Sequence, residues 1–261
     1  MDGRNDQQAG SYLGTGYMDE DIEEFLVSND LVFSKSASKE ALCADVAGLL
    51  AEGKVVGWFS GRMEFGPRAL GARSILGDPR SPVMQRQMNL KIKFRESFRP
   101  FAPAVLEDAL HEWFDMDGVE DRESFSSPYM LMVGKVDEKH LLKSDADTLV
   151  AGFDRLNEIR SAIPAVTHVD NSARLQSVHK ETNPDFHALI GSFHARTGCP
   201  ILINTSFNVR GEPIVESPED AYRCFMRTEM DYLVLGSYVL ARDAQAERED
   251  DLQWMTEFEL D

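Results

Sequence analysis

Three separated segments of this chain concentrate residue types that bind and orient anions. The first is Ser60-Gly61-Arg62-Met63-Glu64-Phe65-Gly66-Pro67-Arg68-Ala69-Leu70-Gly71, which follows an apolar run and sets two arginines around a Gly-Pro turn. Guanidinium groups so placed can grip phosphate oxygens through paired N–H donors, and glycine lets backbone approach a ligand closely. The second, Lys91-Ile92-Lys93-Phe94-Arg95-Glu96-Ser97-Phe98-Arg99-Pro100-Phe101, spaces cations two to four positions apart among aromatics. That pattern aims positive charge inward from an apolar wall; the bland alternative is cation–π packing and surface pairing with Glu96. The third, Asn204-Thr205-Ser206-Phe207-Asn208-Val209-Arg210-Gly211-Glu212, turns Asn204, Ser206 and Asn208 the same way if extended, a row of neutral donors and acceptors.

These segments carry no nucleophile activated by a base. Ser206 has no histidine near it in sequence and no G-x-S-x-G elbow around it. Neither the Walker pattern nor G-x-G-x-x-G matches the glycine-rich stretch. His168 and His179 bracket an expected hairpin and read as ordinary polar residues near the site, so no metal ligand is assigned. A site of cations and neutral donors works by positioning and charge neutralisation, which is what phosphoryl and nucleotidyl transfer require.

The charge distribution supports a pocket more than a broad face. The 261 residues carry a net charge of −18, yet residues 55–101 hold nine Arg or Lys against three acids, a local balance of +6. A cationic island in an acidic chain suits a small anionic ligand, while the overall charge opposes long-range attraction to nucleic acid or an anionic membrane. No stretch approaches the ~20 apolar residues of a membrane span. The first residues have no apolar signal-peptide core, so the expectation is a cytoplasmic protein. Cys43, Cys199 and Cys224 are too few and scattered for a disulfide frame and are expected as buried thiols.

The elements that must position these segments follow from periodicity and capping. Residues 20–27 and 38–52 read as helices, Lys54–Phe59 as a strand, and 67–72 as a helical turn opened by Pro67. Ser81-Pro82 begins a helix to about Ile92, and Leu106–Phe114 contains another. Phe101–Leu106 and Tyr129–Val133 read as strands, with 115–127 and 137–160 as loops or a lid. Ala165–Val169 and Arg174–Val178 form a hairpin about Asp170-Asn171-Ser172. A helix runs from Asn183-Pro184 to Gly198, Pro200–Leu202 leads a buried strand, and Ser217-Pro218-Glu219-Asp220 opens a helix to about Arg227. Tyr232–Leu235 and Tyr238–Ala241 close the domain as strands. The alternation implies an α/β (α+β) fold, a twisted mixed sheet with packed helices. Residues 1–16 read as a flexible lead-in, 17–242 as the domain, and 243–261 as an acidic tail.

With these segments in view the chain resembles the C-terminal domain of the nodulation and antibiotic O-carbamoyltransferases. The likeness is carried by Gly57–Gly71, Lys93–Pro103, Pro164–Gln176 and Asn204–Ile214, in order. It implies a YrdC-like fold that makes carbamoyladenylate from ATP and carbamoyl phosphate by way of carbamate, with Mg²⁺ accompanying the triphosphate. The K-x-R and S-x-N elements of such sites are similar to Lys93-Phe94-Arg95 and Ser206-Phe207-Asn208. By resemblance Lys93, Arg99 and Ser206 are the catalytic positions, and Arg62, Arg68, Arg95, Arg174, Asn204, Asn208 and Arg210 bind the substrates. The family's metal-binding N-terminal domain, which transfers the carbamoyl group to an acceptor hydroxyl, has no counterpart here. The resemblance therefore implies an enzyme half that needs a partner domain or subunit. A catalytically idle nucleotide-binding subunit of the same fold is the alternative.

Overall fold

The computed structural model describes residues 7–116, 125–142 and 158–246. In chain order its strands are β1 (Ser34–Lys35), β2 (Val56–Phe59), β3 (Arg73–Gly77), β4 (Ala102–Leu106) and β5 (Phe114–Asp115). They continue with β6 (Met132–Val136), β7 (Ser172–Val178), β8 (Ile201–Ser206), β9 (Tyr232–Leu235) and β10 (Tyr238–Ala241). The helices are α1 (Asp19–Ser28), α2 (Lys39–Ala51), α3 (Met84–Lys91), α4 (Leu110–Trp113), α5 (Pro184–Thr197) and α6 (Pro218–Met226).

The strands form one mixed ten-stranded sheet in the order β1-β10-β9-β2-β3-β8-β4-β7-β6-β5. Only β2–β9 and β4–β7 pair parallel; the other neighbours are antiparallel. The central strands are apolar runs buried on both faces, as strands covered by helices must be; β2 and β3 are buried along their full length. Packing of α2 against α5 and of both against the sheet seals one large core, in which Val46, Leu50, Ile75, Phe186, Phe193 and Ile203 are inaccessible to water.

Helix ends follow their caps. The Asn183 side chain accepts the Phe186 amide at 3.0 Å, Pro184 occupies the first turn, and Gly198 closes α5 in the left-handed region at φ 74°. Ser217 and Asp220 form the reciprocal box that opens α6.

The expected helical turn at 67–72 is absent. The buried Glu64 carboxylate takes the backbone amides of Leu70 at 2.6 Å, Ala72 at 2.7 Å and Arg73 at 3.2 Å through one oxygen, so those donors cannot build a helix. The segment instead delivers the chain into β3, a strand that sequence periodicity misses. Arg73 opens it and is wholly buried, its guanidinium 3.5 Å from the Phe59 ring centroid and donating to the carbonyls of Thr15, Gly61 and Ala72.

Ala165–Val169 is not a strand either. Pro164–Val166 makes a 3-10 turn, and the Ala165 amide donates to the Pro79 carbonyl. Only the tight turn survives, with the His168 amide on the Ser172 carbonyl at 2.7 Å and Asn171 at φ 64°. Met130, at φ 56°, delays the strand expected from Tyr129, so β6 starts at Met132. The Ser81-Pro82 start is also late, because α3 begins at Met84 after a turn closed on the Ser81 carbonyl.

Over its described part, residues 7–16, the expected loose lead-in is packed: Gly14 and Met63 pair through backbone, and the Tyr12 hydroxyl donates to the Leu70 carbonyl. Most of the two expected loop regions, and the tail beyond residue 246, lie outside the described residues. Among the described residues no helix is long and apolar enough to cross a membrane.

Candidate functional site

The antiparallel register Ala102↔Asn204 and the parallel register Ala104↔Gln176 bring the end of β8 beside the starts of β4 and β7. The loop before β3 and the segment after α3 close over this corner. A cleft of about 150 Å³ results, lined by Arg68 from the first loop, Arg95 from the second, Arg174 from β7, and Asn204, Thr205 and Ser206 from β8. Pro67, Pro100, Phe101 and Met130 supply its apolar walls.

Among the described residues no aspartate or glutamate lines the cleft. Nε of Arg68, Nε of Arg174 and Oδ1 of Asn204 are buried without a hydrogen-bond partner. Burial, then the Arg68 charge, holds the Arg174 guanidinium below its ordinary range; burial, then Arg99, does the same for Arg95. Like charges gathered in a partly buried cleft disfavour one another unless an anion joins them. The arrangement concentrates positive charge in a small cleft.

Neutral side chains fix its floor. Asn204 donates through Nδ2 to the Ala69 carbonyl at 3.0 Å and to Gln176 Oε1 at 2.6 Å, while Gln176 donates to the Leu70 carbonyl at 2.7 Å. Arg95 Nε donates to Asn89 Oδ1 at 2.7 Å, and its guanidinium lies 5.1 Å from the Phe101 ring centroid. Gln176 and Asn89 are absent from the sequence-derived set. Two-residue alternation from Arg174 along β7 points to Gln176; nothing local points to Asn89.

Lys93 lies behind the floor, buried. Its Nζ donates to the carbonyls of Ser206 at 2.5 Å and Asn208 at 2.9 Å, and to Asn208 Oδ1 at 2.9 Å. Ser206 Oγ donates to the same Asn208 oxygen at 2.6 Å, and Asn208 Nδ2 reaches the Glu212 carbonyl. Burial pushes the Lys93 ammonium down to about 7. Lys93 and Asn208 thus shape the backbone that presents Ser206 to the cleft.

Besides Lys93 and Asn208 behind the floor, three more residues of the expected set stand outside the cleft. Arg62 is exposed and clamps the N-terminal segment, donating to the carbonyls of Gly14 at 2.9 Å and Leu13 at 2.7 Å. Arg99 is exposed and pairs with Glu96 at 3.0 Å. Arg210 lies in the loop after β8, near enough to favour the charged form of Glu96. His168 lines a larger cavity of about 550 Å³ that meets the cleft at Pro100, with Gln85, Phe98, Arg160 and Thr167. Burial, reinforced by Arg174, keeps the His168 imidazole below its ordinary range.

The family described as "Carbamoyltransferase C-terminus" matches residues 47–242, and the chain belongs to it. The chain is 56% identical to "Uncharacterized protein sll1178" of Synechocystis over 98% of its own length and 41% of the relative's. It is 39% identical to "Nodulation protein NolNO" of Sinorhizobium fredii, over 88% of this chain and 32% of that protein. It is 38% identical to the "3'-hydroxymethylcephem-O-carbamoyltransferase" of Amycolatopsis lactamdurans, over 67% and 28%. The chain therefore spans roughly a third to two fifths of these relatives.

Proposed function

We propose that this domain binds ATP and carbamoyl phosphate and joins their parts into carbamoyladenylate, the activated form from which a carbamoyl group passes to an acceptor hydroxyl. One observation carries the reading: Arg68, Arg95 and Arg174 converge on one cleft that no carboxylate lines among the described residues. Relatives with a carbamoyltransferase name extend it to carbamoyl chemistry.

The 150 Å³ cleft takes carbamoyl phosphate, and the nucleotide extends toward the 550 Å³ cavity that shares Pro100 with it and is lined by Arg160 and His168 as well as Glu158 and Asp170. Water first cleaves carbamoyl phosphate to carbamate and phosphate. A carbamate oxygen then bonds to the α-phosphorus of ATP while the bond to the bridging oxygen breaks and pyrophosphate leaves. Nothing in this sequence requires a protein nucleophile. Arg68 and Arg174 hold the phosphate oxygens and offset the charge that accumulates as the two anions approach. Asn204 and Ser206 orient the carbamoyl end, and Lys93 keeps the Ser206–Asn208 backbone in place.

A donor set of guanidinium and amide groups offers no seat for a resident Mg²⁺, which favours carboxylate and water oxygens. Mg²⁺ therefore enters as part of the nucleotide substrate. Transfer to the acceptor hydroxyl belongs to a part of the enzyme outside the described residues, in an N-terminal domain or separate subunit.

The test is pyrophosphate release from ATP and carbamoyl phosphate by the chain, repeated with Arg68→Ala and Arg174→Ala. Release dependent on both substrates, falling at least tenfold in each variant, is expected. Folded chain that binds neither substrate refutes the proposal; binding of ATP without pyrophosphate release, with the remaining domain supplied, favours an idle nucleotide-binding subunit.

A further inference from the structure

At the opposite ends of the strands that form the anion cleft lies a second cluster with different chemistry. β4 and β7 run parallel with Leu106 opposite Val178, so the next residues, Glu107 and His179, emerge side by side. Glu107 begins the 3-10 turn after β4, and His179 starts the turn into α5 that the Asn183 amide closes on the His179 carbonyl at 3.0 Å. That turn swings Glu181 back over the pair. His179 Nδ1 is 2.8 Å from Glu107 Oε2, and one ligand atom from each of the three residues lies within 4.8 Å of the others.

We infer that Glu107, His179 and Glu181 form a binding site for one divalent transition-metal ion of the zinc class, with remaining positions open to water. One imidazole and two carboxylates suit Zn²⁺ or Mn²⁺. The 2.8 Å separation is that of a hydrogen-bonded pair, and tetrahedral bonds of about 2.1 Å would part the two atoms to about 3.4 Å, a small side-chain adjustment. Glu181 is exposed, so its side chain closes the remaining distance without moving the fold.

The imidazole is held ready for this role. His179 is buried, and its other nitrogen, Nε2, lies 3.0 Å from Ser177 Oγ, which also accepts the Ser127 amide at 2.8 Å. Without metal, Nδ1–H donates to Glu107 and the Ser177 hydroxyl donates to Nε2. With metal on Nδ1 the proton resides on Nε2 and donates to Ser177 Oγ, the usual outer-shell partner arrangement. The thiols do not compete: all three cysteines are buried, and burial pushes Cys43 to about 11 and Cys199 and Cys224 to about 12. An ion here would pin the exits of β4 and β7 together, remote from the cleft at their other ends.

The experiment uses the full chain stripped with chelator and titrated with Zn²⁺ and Mn²⁺ by calorimetry, with Co²⁺ absorption as a report on coordination. Saturable binding of one ion per chain is expected, with affinity falling at least tenfold in His179→Gln, Glu107→Gln and Glu181→Gln. Imidazole nitrogen shifts of His179 should report the change of tautomer on metal addition. Glu181→Gln alters an exposed side chain and keeps the test valid where His179→Gln fails to fold. Absence of saturable binding to the wild-type chain, or wild-type affinity in any folded variant of the three, overturns the site.

Discussion

Replacing Arg174 by methionine separates a ligand-binding cation from a structural one, because the two roles predict opposite effects on stability. Arg174 is half-buried beside Arg68, and among the described residues no carboxylate lines their cleft. Its lowered pKa means that the fold disfavours the charged form, and arginine stays charged at neutral pH, so the empty protein carries the repulsion. Two like charges sharing a cleft repel by a few kcal/mol, on the order of magnitude expected at an effective dielectric constant of 20. Solvent access to both groups reduces this to about 1 kcal/mol. Methionine keeps the aliphatic packing and removes the charge. The ligand-free variant should therefore be more stable by about 1 kcal/mol, or 2–4 °C in Tm for a domain of this size. The same change removes a charge-assisted hydrogen bond to bound phosphate worth about 1.5–3 kcal/mol, a loss of about 10- to 150-fold in affinity. Thermal unfolding with and without inorganic phosphate reads both numbers, since a ligand that binds only the folded state raises Tm with its concentration. A variant that is less stable than wild type and gains as much from phosphate would refute the reasoning and make Arg174 a structural residue.

Lys93→Met should flatten part of the pH dependence of stability. The folded-state pKa of Lys93 lies near 7, below its ordinary 10.5, so between those values the unfolded chain holds the extra proton and stability rises with pH. Below pH 7 the penalty is fully present. Urea unfolding between pH 6.5 and 10 should show a wild-type slope steeper than that of the variant by up to one proton; equal slopes would disprove the assignment. Glu64→Ala leaves three amides without their acceptor and should cost about 3 kcal/mol or more in urea unfolding. A loss below 1 kcal/mol would show that the Leu70–Arg73 amides find other partners.

Legibility in the sequence tracked how local the determining interactions are. The α5 boundaries could be read because Asn183, Pro184 and Gly198 act within a turn of the ends they define. β3 could not, because a strand that opens with a buried arginine breaks the apolar pattern, and Arg73 is satisfied by Thr15 and Gly61 carbonyls brought by the fold. The loop at 67–72 has residues that favour a helix, and a carboxylate three residues before Pro67 redirects its amides. At the site, Arg68, Arg95, Asn204 and Ser206 stood out in donor-rich segments beside apolar strands, whereas Arg174 was indicated by the family resemblance alone. Arg62 and Arg99 were indistinguishable from them by type and spacing, since only packing determines whether a guanidinium meets a ligand, a backbone carbonyl or Glu96. The Glu107–His179 pair depends wholly on a parallel strand pairing between distant parts of the chain.

The pairing of β2 with β9 joins residues 56–59 to residues 232–235. During synthesis a fully apolar strand therefore emerges long before the neighbour that covers its edge. Distant pairings of this kind slow folding and leave sticky intermediates exposed. A nascent chain of this family should depend on chaperone protection until its last strands clear the ribosome.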